Sequence, residues 1–317
     1  MTIFWRKNKG KLLLAVLLCT MFLCIAADRR YAYHSSVFRE TKKFLVGVES
    51  NIEICNTGSN PGKFAFDWGE VDDLRGYNFA TGPQSLYYDH VLLRHYRGHL
   101  TSNAVVVITL APLATLKYHH PAPANVIRYY PVLEKDEIRS FSWTTYLRCK
   151  WTQLKLLGDY NSIPSDPALE FDGRPEPKML RGFAEFLYKD WGKNFEITDF
   201  QAPMTDINRE KFNEMLVQVR AFLDWCIAEG LRPALVVCPV THDYDDQFTD
   251  YFCKTYIYDF IEQLNRPNVP FLDYLKDERF RKPEYFVNSL MLNNTGRKLF
   301  TREIVSELRK RGLLSSK

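Results

Sequence analysis

Five short apolar runs, each of strand length, limit what this chain can fold into: "NIEIC" (51–55), "GYNFA" (76–80), "AVVVITLA" (104–111), "PALVVCPV" (233–240) and "VPFLDYL" (269–275). None alternates cleanly between polar and apolar residues. Such runs suit parallel strands buried on both faces. Helical patterns stand between and after them. "SLYYDHVLLRHYRGHL" follows the second run. "NREKFNEMLVQVRAFLDWCIAEG" places Phe212, Met215, Leu216, Val219, Phe222, Leu223 and Cys226 at three- and four-residue spacing, with Gly230 as its stop. "DDQFTDYFCKTYIYDFIEQLN" precedes the fifth run, and "GRKLFTREIVSELRKRG" closes the chain. The alternation predicts an α/β fold, a three-layer sandwich on a five-stranded parallel sheet of flavodoxin-like type. Residues 158–206, rich in proline (Pro164, Pro167, Pro175, Pro177, Pro203), interrupt the rhythm. They read as an irregular insertion, either a lid or partner surface over the carboxyl edge of the sheet or a solvated excursion.

The first residues set the compartment. "LLLAVLLCTMFLCIAA" (12–27) is an unbroken apolar run behind a basic leader, residues 1–11. Sixteen residues fall slightly short of the ~20 of a spanning helix and suit a signal core. The reading is an N-terminal transmembrane signal anchor with the leader in the cytoplasm, or else a cleaved signal peptide. Both readings place the main domain, 45–317, outside the cytoplasm, behind a linker at 28–44. The net charge of +4 belongs to the leader and its flank. Without residues 1–30, 36 basic and 37 acidic residues remain, which provides no footprint for nucleic acid. The five cysteines beyond the apolar run (Cys55, Cys149, Cys226, Cys238, Cys253) have no metal or framework spacing and read as core fillers, with one disulfide left open. Aromatic residues, 15% of the chain, suit a bulky core or a sugar-stacking surface, and the core is the better account.

Ligands of open parallel sheets bind beyond the carboxyl ends of the strands. After the first run comes "CNTGSNPGKFAFDW": Gly58 permits a sharp turn, Ser59 or Asn60 can cap a helix, and Pro61 fits its first turn. Ser59 reads as a cap or as a nucleophile whose helix N-terminus would favour an oxyanion. After the second run, "NFATGPQSLYYD" holds Gly82 before Pro83, a tight turn whose N–H could serve as a second donor. No phosphate-cradling loop is present, so neither a P-loop nor a flavodoxin-like cofactor site is expected, and no cofactor is implied. His119 and His120 lack a third ligand at sensible spacing, so no metal is expected. His242 in "CPVTHDYDD" follows the fourth run, with Asp243, Asp245 and Asp246 beside it. It reads as a surface histidine or as a substitute base. Asp273 ends the fifth run as a lone carboxylate.

Taken together, "IEICNTGSNPGKFAFDW" and "NFATGPQSLYYDHVLL" resemble the opening of the SGNH (GDSL-like) hydrolase superfamily. They are most similar to its exported, membrane-anchored bacterial branch, which includes the teichoic-acid D-alanyl-transfer protein and polysaccharide O-acetyltransferases. The resemblance spans most of residues 45–312. It implies Ser59 as nucleophile, Gly58 and Asn78 in the binding turns, and Gly82 as an oxyanion donor. It also implies an Asp-x-x-His pair before the last helix. Here "YFVNSLMLNNTGRKLF" puts Asn288 and Met291 at those two positions, and "ITLAPLATL" lacks the asparagine donor usual after the third strand. Two expectations follow. One is acyl transfer or ester hydrolysis on an extracytoplasmic polysaccharide or cell-wall polymer through a Ser59 acyl-enzyme. The other is a degenerate relative that binds glycan or assists a membrane-embedded acyltransferase.

Overall fold

In a computed structural model, residues 2–112, 123–156, 158–197 and 199–315 are described. The elements run α1 (Thr2–His34), α2 (Ser36–Val46), β1 (Ile52–Thr57), α3 (Asn60–Ala65), β2 (Gly76–Asn78), α4 (Leu86–His95), β3 (Leu100–Leu110) and α5 (Pro123–Val126). They continue with α6 (Trp143–Leu156), α7 (Pro177–Phe195), α8 (Asp206–Ala228), β4 (Arg232–Val237), α9 (His242–Asp245), α10 (Asp250–Cys253) and α11 (Asp259–Leu264). The last are β5 (Phe271–Asp273), β6 (Phe286–Asn288), β7 (Met291–Leu292) and α12 (Asn294–Lys310). Two compact units result. Residues 1–47 and 126–166 form one, and residues 48–125 and 167–317 the other.

The larger unit is an α/β sheet with flanking helices. Its five strands are all parallel, in the order β2-β1-β3-β4-β5, with Ile54 opposite both Gly76 and Val105, and Leu235 opposite Phe271. All five apolar runs became strands. Their lack of alternation has its cause in burial: Ile54, Val105, Val107 and Val236 face one side, while Cys55, Val106, Ile108 and Leu235 face the other, and all are buried. The first set packs on α12 through Phe300, Ile304, Val305 and Leu308. Burying four such side chains contributes roughly 6–12 kcal/mol before chain entropy is subtracted. On α8, the stripe from Phe212 to Cys226 is buried as its spacing predicts; α8 packs on β4, and α4 and α11 pack on α8. The aromatic excess is largely core, with Phe248, Phe252 and Tyr256 stacked at ring separations of 5.0 and 4.6 Å. A separate antiparallel hairpin, β6–β7, precedes α12.

The smaller unit is helical. α1 contains an 18-residue window, Gly10–Ala27, long and apolar enough to cross a membrane, and it is wholly exposed. The expected linker at 28–44 is helix instead. Residues 28–34 continue α1, and α2 turns Phe38, Thr41 and Phe44 inward. Phe38 meets Leu156 and Ile163 in a small core, Lys42 donates to the Ile163 carbonyl at 2.6 Å, and α6 packs against α1.

The expected insertion at 158–206 also differs. Residues up to 166 belong to the smaller unit, and the larger unit's share contains α7, a 19-residue helix. Pro177 sits in its first turn, where a missing N–H costs nothing, and Glu196 closes it at φ 56°. All seven cysteines are free.

Candidate functional site

In this strand order the connections part between β1 and β3, and a crevice opens there beyond the carboxyl ends. Ser59 follows β1 at that point. Gly58 holds φ +130°, and a Cβ there would lie 2.8 Å from Cβ of Thr109 on β3, so this turn requires glycine. Ser59 stands at the cap position of α3, but its hydroxyl makes no capping bond. Its Oγ instead accepts from the Gln84 backbone N–H at 3.2 Å, across the turn that follows β2. Gly82 lies in that same turn. A Cβ on it would overlap Asn60 Oδ1, so the side chain of Asn60 fills the space beside the glycine.

Asp89, on the first turn of α4, was not singled out as a site residue. It is 2% exposed. Its Oδ1 accepts from the Gly58 N–H at 2.7 Å and from Gln84 Nε2. Gln84 Oε1 in turn accepts from Thr81 Oγ1 at 2.7 Å. A chain of hydrogen bonds therefore runs Thr81–Gln84–Asp89–Gly58 directly behind Ser59. The cleft bounded by Ser59, Gln84, Asp89 and Thr109 measures about 10 Å³, room for one water at most. The carboxylate here engages the backbone donor of Gly58 and so fixes the turn that carries Ser59. The only sequence signal was an acid in a first helical turn, which is ordinarily a complement to the helix dipole.

Asn78 serves the fold. Its Oδ1 accepts from Asn56 Nδ2 (3.1 Å) and from the Ala80 N–H (3.0 Å), and its Nδ2 points to the Gly62, Lys63 and Phe66 carbonyls at the end of α3. Asn56, fully buried, also donates to the Gly62 carbonyl and accepts from Trp68 Nε1 at 2.9 Å.

Asn288 and Met291 face each other across the β6–β7 turn. Asn288 Oδ1 accepts from the Leu290 and Met291 N–H groups, both at 3.0 Å, and its Nδ2 lies 3.4 Å from the Met291 sulfur. β7 packs on α3, the helix that Ser59 opens. The hairpin is tied on its other sides as well. The Thr241 N–H donates to the Ser289 carbonyl, and Ser289 Oγ donates to the Leu180 carbonyl on α7.

His242 opens α9 and is solvent-exposed, with Nε2 3.4 Å from Glu278. Among the described residues, Ser59 Oγ bonds to Gln84 and not to His242. His242, Asp245 and Asp246 bring one ligand atom each within 4.8 Å of one another. Arg281 already supplies the cation there, meeting Asp245, Asp246 and Glu278. Burial pushes the Asp245 carboxyl up to about 7 against the pull of Arg281. Asp273 accepts from the Tyr258 hydroxyl (2.8 Å) and the Leu275 N–H (2.9 Å), and so caps the end of β5. His119 and His120 lie outside the described residues. A larger cleft, about 640 Å³, lies elsewhere, between residues 70–73 and α12, beside the Arg302–Glu70 and Arg309–Asp73 pairs.

The fold and site define an α/β protein with a five-stranded parallel sheet, a serine turn at its switch point and one N-terminal apolar helix. No protein-family model matches the chain, and no curated protein matches it either.

Proposed function

We propose that this chain is a membrane-anchored, extracytoplasmic SGNH-like protein whose serine site is silent, and that it binds a cell-surface glycan or polymer in support of a membrane-embedded acyltransferase. The observation that carries this reading is the narrow cleft at Ser59, in which Asp89 accepts the Gly58 N–H and Ser59 Oγ accepts from Gln84. A serine nucleophile needs a base to take its proton and donors for the oxyanion it creates. The thioether of Met291 takes no proton. The strand order and the serine turn support the family resemblance; the exposed apolar window of α1 supports the anchor.

The test is a fluorophosphonate probe applied to the full chain. The expected result is no labelling of Ser59 at any pH, with glycan binding unchanged in Ser59→Ala. Labelling of the wild type that Ser59→Ala abolishes would overturn the silent-site reading and restore the acyl-enzyme.

A further inference from the structure

α6 carries an exposed apolar face. Trp143, Leu147, Trp151 and Leu154 are 58%, 62%, 58% and 67% exposed. At about 100° per residue they fall within roughly 80° of arc, a single stripe along the helix. Cys149 and Leu156, on the opposite face, are buried. Soluble surfaces seldom leave two tryptophans and two leucines in one exposed row.

The flanks show what covers the row. Among its 14 residues α6 has Arg148, Lys150 and Lys155 and no acid. Arg148 is exposed on one flank and Lys150 is half-exposed on the other. A further cation, Lys135 Nζ, stands 4.8 Å from the Trp143 ring at the start of the helix. Tryptophan beside basic residues is the composition of a helix lying at a bilayer surface, rings at headgroup depth and cations among anionic lipids. At 14 residues, about 21 Å, α6 is too short to span a ~30 Å hydrocarbon core, so it would lie in the interfacial plane. Its neighbour in the unit is α1, whose apolar window faces outward all round.

We infer that α6 is an interfacial helix, seated on its Trp143–Leu147–Trp151–Leu154 face in the leaflet where α1 emerges, against anionic phospholipid. This rests on α1 spanning the bilayer, the anchor part of the proposed function.

The experiment uses the full chain with Cys19→Ser and Cys24→Ser, reconstituted into vesicles of phosphatidylcholine and phosphatidylglycerol. A nitroxide is placed singly at Leu147→Cys or Trp151→Cys, with Val16→Cys as the lipid reference and the exposed Glu210→Cys as the water reference. Both stripe positions are solvent-facing, so neither substitution opens the core. The ratio of oxygen to nickel-chelate accessibility at 147 and 151 should exceed that at 210 by several-fold. The labels should also become shallower in phosphatidylcholine alone. A ratio equal to that at 210 overturns the inference. Shielding from both reagents overturns it too, and its dependence on protein density then separates a second copy from another partner. Depth that ignores lipid charge overturns the assignment of anionic lipid. If Val16 itself reads as water-exposed, the anchor has failed; if only 147 and 151 do, the interfacial helix has.

Discussion

Replacing Asp89 probes the bond network behind Ser59. In Asp89→Ala the buried Gly58 N–H loses its acceptor, and Gln84 Nε2 loses its carboxylate partner while keeping a 3.5 Å approach to the Phe79 carbonyl. A buried donor left unpaired costs about 1–3 kcal/mol, so one full loss and one partial loss come to roughly 2–5 kcal/mol. Asp89→Asn keeps an Oδ1 in place and gives up only the charge on two hydrogen bonds, about 1–2 kcal/mol. In a domain of 150–250 residues each kcal/mol moves the melting temperature by about 2–4 °C. The full chain in detergent micelles, melted under near-ultraviolet circular dichroism, should therefore rank wild type above Asp89→Asn above Asp89→Ala. The Ala variant should lie roughly 4–20 °C below wild type. Equal melting of the Asn and Ala variants, or an Ala variant as stable as wild type, would refute the account of Asp89 as the acceptor that seals the turn.

Asp245 predicts a pH dependence. Its folded carboxyl holds a proton up to about pH 7, while the unfolded chain releases it near 4. The folded state thus binds more protons across that window, and this group's contribution to stability falls as pH rises through it, by no more than roughly 4 kcal/mol. Asp245→Asn should flatten the dependence of unfolding midpoints on pH between those limits; an unchanged slope counts against it. Asn293, fully buried, caps α12 by accepting from the Gly296 N–H at 2.9 Å and also donates to the Glu284 carbonyl at 2.7 Å. Asn293→Ala should cost about 1–3 kcal/mol by urea denaturation, and Asn293→Ser clearly less, because a hydroxyl still caps.

Strand positions were legible because double-sided burial writes an apolar run without alternation, as at 104–111. The stripe of α8 was legible because one of its faces is in the core. α7 was missed because Pro177 was read as a breaker, although in the first turn it starts a helix. The stretch 28–44 was read as a linker from its position, while Phe38, Thr41 and Phe44 mark the inner face of a helix. Within the candidate site, the turns after β1 and β2 meet, with Ser59 Oγ on the Gln84 N–H and Gly82 against Asn60. Asn78 went to the α3 carbonyls and His242 to Glu278, because each found nearer partners. Asp89 was out of reach of local reading: its acceptor role depends on Gly58, 31 residues earlier, and only the packing of α4 brings the two together.

On the proposed membrane anchor, the lengths of the outer strands have a further consequence. β2 and β5, the two edges of the sheet, are three residues each, against eleven in the central β3. Tethering to a bilayer confines copies of a chain to two dimensions, where encounters between neighbours are frequent. A long bare edge would then recruit the edge of the next copy and grow into a ribbon. Edges this brief offer few free backbone groups to start one, so the sheet is poorly suited to growing edge to edge on a crowded surface.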